Sequence, residues 1–337
     1  LHPRVRRQRQ MCIRDRKKSI FLSFILCLCL IACIPQQVMA QKQSRMEKLL
    51  RYLNDNDADK WQKNREKLDD ETKAYYAEDL SLMDVLNDLW NGQSEQAATL
   101  YFGCYEKAAQ SNFPGICEGE KIPLSQIRDK ADQSIINLLE ASKDKIPFSR
   151  ALLDSIHATE YPVDSAMLQR LQNIREVALL EGMLKTPTPI IYQTYVKEYP
   201  NGKFIAQVNA SENVRLYQLV KTAPTPANFK AFFEDPEMQK YYQDRGPRPY
   251  LAEVRTLYDD FLFQRIDSLK KEGNATAIRQ IIDDYKNTPY LSTGARTHLN
   301  DLEYLSEKAD FELLKPAIVN SLSLIHISEP TRRVVIS

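Results

Sequence analysis

The stretch TPIIYQTYVKEYPNGKF, residues 188–204, decides the fold. Thr188 followed by Pro189 has the form of a helix start. The hydroxyl can accept from an otherwise unpaired N–H of the first turn, and proline at the first helical position lacks an N–H that would have no partner there. Tyr192, Tyr195 and Val196 follow at the i, i+3, i+4 spacing that gathers apolar side chains on one helix face. Tyr199-Pro200-Asn201-Gly202 then interrupts the pattern, because Pro200 cannot continue a helix and Gly202 suits a turn. Beyond Phe204 a second periodicity, Val208, Val214, Leu216 and Leu219, predicts a longer helix. The segment reads as short helix, turn, long helix.

Working outward, the same unit recurs. Tyr192, Phe229 and Ile278 superpose as anchors; three residues on stand Tyr195, Phe232 and Ile281, then Val196, Phe233 and Ile282, and twelve residues past each anchor stand Phe204, Tyr241 and Tyr290. Thr225-Pro226 repeats the start signal of Thr188-Pro189. The turns are Asp235-Pro236 and Tyr285-Lys286-Asn287-Thr288-Pro289, and the long helices carry Leu251, Val254, Leu257 and Phe261, then Leu299, Leu302 and Leu305. The anchors are 37 and 49 residues apart, the second interval holding Gly246-Pro247-Arg248-Pro249. A helix pair of this size cannot bury its apolar face alone, so such units are expected to stack and present an extended surface.

The unit length and the phrase Tyr195 to Phe204 resemble the tetratricopeptide-type repeats of Gram-negative cell-envelope proteins, over about residues 186–311. The resemblance implies an α-solenoid whose tyrosine-proline-asparagine turn joins the two helices of a repeat, and whose concave face binds peptide or protein segments. The aromatic residues Tyr192, Tyr195, Tyr199, Phe229, Phe232, Phe233, Tyr241 and Tyr242 are then either inter-helix core or contacts in such a groove.

Residues 41–185 show helical periodicity without the repeat. Met46, Leu49, Leu50 and Leu53 form one stripe, and Leu80, Leu82, Met83, Leu86 and Leu89 another, stopped by Asn91-Gly92. Further helices are expected over Ala97–Tyr105, Ile127–Leu139, Ala151–Ile156 and Met167–Met183. No alternation of period two persists, and 9 glycines in 337 residues, against a usual share of about 7%, are few for hairpin-rich β structure. The expected fold is all-α, with helical hairpins stacked as a tetratricopeptide-like α-solenoid.

The two ends read differently. Arg6–Arg16 and Leu322–Arg332 match translated sequencing adapter, so 1–16 and 322–337 are expected not to be native. Residues 17–40 read as a signal peptide: Lys17-Lys18 supplies the positive start, and the apolar run Ile20–Ile34 is short for a bilayer span. Cleavage fits after Ala40, following Val38-Met39-Ala40. Leu30-Ile31-Ala32-Cys33 also fits a lipobox in which Cys33 would be acylated, the one route to membrane attachment the sequence suggests. The remainder is expected as an N-terminal helical region, 41–146, and the repeats, 147–321, in a periplasmic or outer-membrane-associated protein. Residues 41–320 hold 36 Lys and Arg against 43 Asp and Glu, a formal charge of −7, which disfavours phosphate backbones as partners.

Export bears on Cys104 and Cys117, which could pair across the apparent loop Asn112-Phe113-Pro114-Gly115; two buried free thiols or a metal site are the alternatives. His157 and His298 lack ligand spacing for a metal. The acidic runs Asp69-Asp70-Glu71, Asp259-Asp260 and Asp283-Asp284 read as solvated faces, with Asp70 a helix cap. No nucleophile elbow, zinc-protease or phosphate-loop pattern occurs, and no catalytic, metal or cofactor residue is assigned. The expected function is a non-enzymatic exported scaffold binding a protein or peptide partner; the alternative is the helical part of an envelope hydrolase whose catalytic domain lies beyond Ser321.

Overall fold

The computed structural model describes residues 39–304. The expected adapter-derived ends, most of the expected signal segment and Cys33 lie outside them. Among the described residues the secondary structure is helical, without strands, so the chain is all-α. It divides into two compact units, Leu1–Leu179 and Leu180–Ser337.

The first unit begins with α1 (39–54), followed by α2 (Ala58–Glu66), α3 (Asp70–Tyr75), α4 (Ala77–Trp90), α5 (Glu95–Ala109), α6 (Phe113–Glu120), α7 (Leu124–Ala141) and α8 (Lys145–His157). α9 (Ser165–Lys185) carries the division between the units. Both apolar stripes expected from the sequence are buried, Met46 to Leu53 on α1 and Leu80 to Leu89 on α4. Each such leucine withdrawn from water contributes roughly 1.5–3 kcal/mol. α4 and α5 form the principal pair, brought close by the buried small residues Ala97, Ala98 and Ala108 of α5. Their turn needs its glycine: the Gly92 N–H donates to the Asp88 carbonyl at 3.1 Å, and a Cβ on Gly92 would lie 2.8 Å from that oxygen. α8 and α9 are joined through Arg175, a buried guanidinium whose NH1 donates to the Ile146 carbonyl at 2.8 Å and to Ser149 Oγ at 3.0 Å.

Three local expectations change. Asp69, not Asp70, caps α3, accepting from the Thr72 N–H at 2.8 Å. The segment expected as a loop between the cysteines is largely helix: α6 starts at Phe113 with Pro114 in its first turn, where a missing N–H costs nothing. Cys104 on α5 and Cys117 on α6 are consequently both free thiols and form no disulfide. Cys104 Sγ instead lies 3.5 Å from Ser81 Oγ on α4.

The second unit contains α10 (Pro189–Glu198), α11 (Ile205–Thr222), α12 (Pro226–Phe233), α13 (Pro236–Tyr242), α14 (Leu251–Lys271) and α15 (Ala275–Tyr285), then α16 (293–304). Thr188 and Thr225 cap α10 and α12 as their sequence suggests, each hydroxyl accepting a backbone N–H at 3.3 Å, with proline in the first turn. The turn after α10 is closed by its own tyrosine: the Phe204 N–H donates to the Tyr195 hydroxyl at 3.1 Å, and Gly202 N–H to the Tyr199 carbonyl at 2.9 Å. α10 packs on α11, α11 on α12 and α14, and α14 on α15. Asp235-Pro236, expected as a simple turn, instead starts α13, with the Asp235 carboxylate accepting from the Met238 N–H at 2.8 Å.

Five of the six repeat anchors, Tyr192, Tyr195, Phe229, Phe232 and Ile281, are buried; Ile278 is half-buried. On α11, Val208 and Leu216 are buried, while Val214, expected in the same stripe, is exposed. The buried face of α11 takes in polar residues instead, Asn209, Glu212 and Asn213.

Candidate functional site

Those three residues, at i, i+3 and i+4, form one polar seam on α11. Asn209 Oδ1 accepts from the Tyr192 hydroxyl of α10 at 3.0 Å. Glu212, 2% exposed, takes a bidentate pair from Arg215 at 2.6 and 2.7 Å. Asn213 reaches the segment between α13 and α14, accepting from Arg248 Nε at 2.6 Å and donating to the Pro249 carbonyl at 3.1 Å. A buried amide or carboxylate is costly unless its partners are supplied, so this seam specifies what must pack upon it.

Arg248 is the main occupant. Its guanidinium carbon sits 3.9 Å from the centre of the Phe232 ring, in the geometry of a cation over an aromatic face, and its NH1 donates to the Phe232 carbonyl. NH2 is buried and meets no acceptor among the described residues. Burial lowers the Arg248 pKa, opposed by the nearby Asp235 carboxylate, which is itself engaged as the cap of α13. Gly246, at φ +100, and Tyr250, at φ +64, supply the left-handed turns that bring the segment back to α14. Tyr250 then stacks on Tyr217 with ring centres 4.4 Å apart.

One side of this segment borders a cleft of about 730 Å³, within the size range of ligand sites. Phe233 and Tyr290, stacked with centres 4.4 Å apart, form one wall, and the Tyr290 hydroxyl donates to Glu234. Tyr242 and Leu251 add apolar surface, and Met238, fully buried, backs the lining. Among the described residues the charged ones lining it are Lys240, Arg248 and Arg255, with no carboxylate. Lys240 and Arg255 are exposed and reach no acid among the described residues.

The first unit has a cleft of its own, about 640 Å³, between α7 and the start of α9. Asp132 lines it and is 7% exposed. Burial pushes its carboxyl up to about 6, against a hydrogen bond from the Tyr161 hydroxyl at 2.5 Å. Tyr161 packs edge-on against Tyr101, Phe102 and Tyr105, and burial raises its own pKa far above the ordinary phenol value. The cations of this cleft are already paired, Arg128 with Asp129 at 3.3 Å and Arg170 with Glu140 at 2.8 Å. Charge in this cleft is therefore matched from within, unlike that of the second unit.

The residues singled out in the sequence fall around these sites unevenly. Phe233 and Tyr242 line the second-unit cleft, while Tyr192, Tyr195, Phe229 and Phe232 lie in the core behind it. The acidic runs line neither cleft: Asp69 is a cap, Asp259 accepts from the Ser292 N–H at 3.3 Å, and Asp283 pairs with Lys286 at 2.9 Å. His157 is exposed, and His298 packs by Phe263. Among the described residues no group of three or more His, Cys, Asp or Glu could hold a metal ion, and no helix is long and apolar enough to cross a membrane. Arg248, Asn213 and Asp132 escaped sequence reasoning. The usable signal for the first was Gly246-Pro247-Arg248-Pro249, a segment too stiff and too specific to be a mere spacer.

The chain matches no protein-family model, no curated protein and no solved structure.

Proposed function

We propose that the chain is an exported, non-enzymatic helical-repeat scaffold of the cell envelope, and that it binds a peptide segment of a partner protein in the cleft of the second unit. The observation that carries this reading is the cleft's construction: aromatic and apolar walls with a few convergent polar groups, held by a segment pinned to the buried seam of α11. Walls fixed in this way lose little conformational freedom on binding, which favours affinity. The helix–turn–helix pattern and the Thr-Pro starts support a stacked-repeat scaffold as the frame, and the signal-like residues 17–40 support export, with Cys33 as the point of lipid attachment if the lipobox is used. The excess of acids over bases outside the cleft argues against a nucleic-acid partner.

The test is site-specific photo-crosslinking in cells producing the full chain. A benzophenone amino acid at Gln243, which lines the cleft, is compared with one at Thr256, exposed and outside it. The reading predicts a restricted set of protein adducts at Gln243 and none of them at Thr256. Equal adducts at both positions, or none at either, contradict it.

A further inference from the structure

Among the described residues, three cations and no carboxylate line the second-unit cleft. They stand out in a region, residues 41–320, that holds 43 acids against 36 bases. Lys240 on α13 and Arg255 on α14 come from different helices, yet both border the same apolar cleft without an acidic partner among the described residues. Arg248 between them spends Nε on Asn213 and NH1 on a backbone carbonyl, both uncharged acceptors, and NH2 on nothing. Of the acids near them in sequence, Asp235 caps α13, Glu234 accepts from Tyr290 and pairs with Lys230 at 3.6 Å, Glu253 accepts from the Tyr217 hydroxyl at 2.8 Å and Asp259 from the Ser292 N–H at 3.3 Å, while Glu237 and Asp244 are exposed outside the cleft lining. An unbalanced positive field over apolar walls is complementary to one kind of ligand, an anion attached to a large apolar group.

We infer that the peptide segment received here is acidic, with at least one Asp or Glu side chain next to a large apolar residue. The apolar side chain lies against Phe233 and Tyr290, and the carboxylate meets Arg255 and Lys240, with Arg248 adding positive charge. This inference rests on the peptide-binding reading above and adds the partner's chemistry to it. It also gives the acidic surface elsewhere a role: like charge repels an acidic segment from the rest of the molecule, so the cleft is the place where approach is favourable.

The experiment probes an array of random short peptides, blocked at both ends so that no terminal carboxylate contributes, with the full chain and with a K240E/R255E variant. Both substituted side chains are exposed, so the variant's melting temperature is expected to match that of the parent, a point checked first. The inference predicts that retained peptides are enriched in Asp or Glu beside Phe, Leu, Ile or Trp. Replacing those acids by Asn or Gln should weaken binding about ten-fold, as should the K240E/R255E change or a rise in salt that shortens the screening length. Retention of apolar peptides without acids, unaffected by the variant, would overturn the inference while leaving the peptide-binding reading intact. Acidic peptides held equally by parent and variant would overturn the inference by moving the anion site elsewhere. No retention of any peptide would overturn both.

Discussion

Asn213 holds Arg248 and the residue after it at once: its Oδ1 accepts from Arg248 Nε at 2.6 Å, and its Nδ2 donates to the Pro249 carbonyl at 3.1 Å. One buried amide on α11 thus fixes the segment between α13 and α14, and with it one border of the cleft. Asn213→Leu removes both partners and strands a half-buried guanidinium, a change expected to cost about 2–3 kcal/mol. Chemical denaturation measures this cost, and amide exchange should show faster opening at 243–250. A variant as stable and as protected as the parent would mean that the segment is held by Phe232 alone.

Phe232 is buried beneath that guanidinium and in edge contact with Phe233, ring centres 5.6 Å apart. Phe232→Ala should cost about 3–5 kcal/mol, the range for a buried aromatic cut to alanine. If the second unit behaves as stacked repeats, exchange protection in α10 and α15 falls together with that in α12. A loss confined to α12, at unchanged global stability, would argue against stacking.

Asp132 makes a stability prediction with a definite sign. Burial raises its folded pKa to about 6, above the usual value near 3.9 for an exposed aspartate. The native state therefore binds this proton more tightly than the unfolded chain does, and ionisation of Asp132 costs stability as pH rises from about 4 through about 6. Asp132→Asn keeps an oxygen for the Tyr161 hydroxyl and removes the charge. It should stabilise the protein by about 3 kcal/mol at pH 7, in proportion to the shift, with the gain fading as pH falls toward 4. Denaturation midpoints of both proteins across pH 4–8 check this, and a constant difference would contradict it.

The thiols give a fourth outcome. Burial pushes Cys117 up to about 12, so little thiolate is present near neutral pH. Alkylation of the folded chain should leave Cys117 unmodified, and both Cys104 and Cys117 should react after unfolding without reductant. Failure of both to react in the unfolded, unreduced chain would show that they pair in solution after all.

Legibility in the sequence was uneven, for physical reasons. Thr188-Pro189 and Thr225-Pro226 announce helix starts because capping is local: the hydroxyl and the N–H it receives are three residues apart. The same chemistry at Asp235-Pro236, and the proline start without a side-chain cap at Phe113-Pro114, passed for turns, since proline marks a break and a first helical turn equally well. The disulfide expectation failed at that point, because α6 occupies what looked like a free loop. Asn209, Glu212 and Asn213 look like a solvent face on periodicity alone; their burial depends on Tyr192, Arg215 and Arg248, up to 35 residues away. The cleft was hidden for the same reason, its walls coming from Phe233 and Tyr290, residues that meet only after folding.

The most direct measurement of the central claim is hydrogen exchange of the full chain with and without an array-selected acidic peptide. The account predicts added protection at 233–255 and 288–290, around the cleft, and none in α1–α8. Protection gained instead around Asp132 and Arg128, or no change at the second-unit cleft with peptide bound, would contradict it.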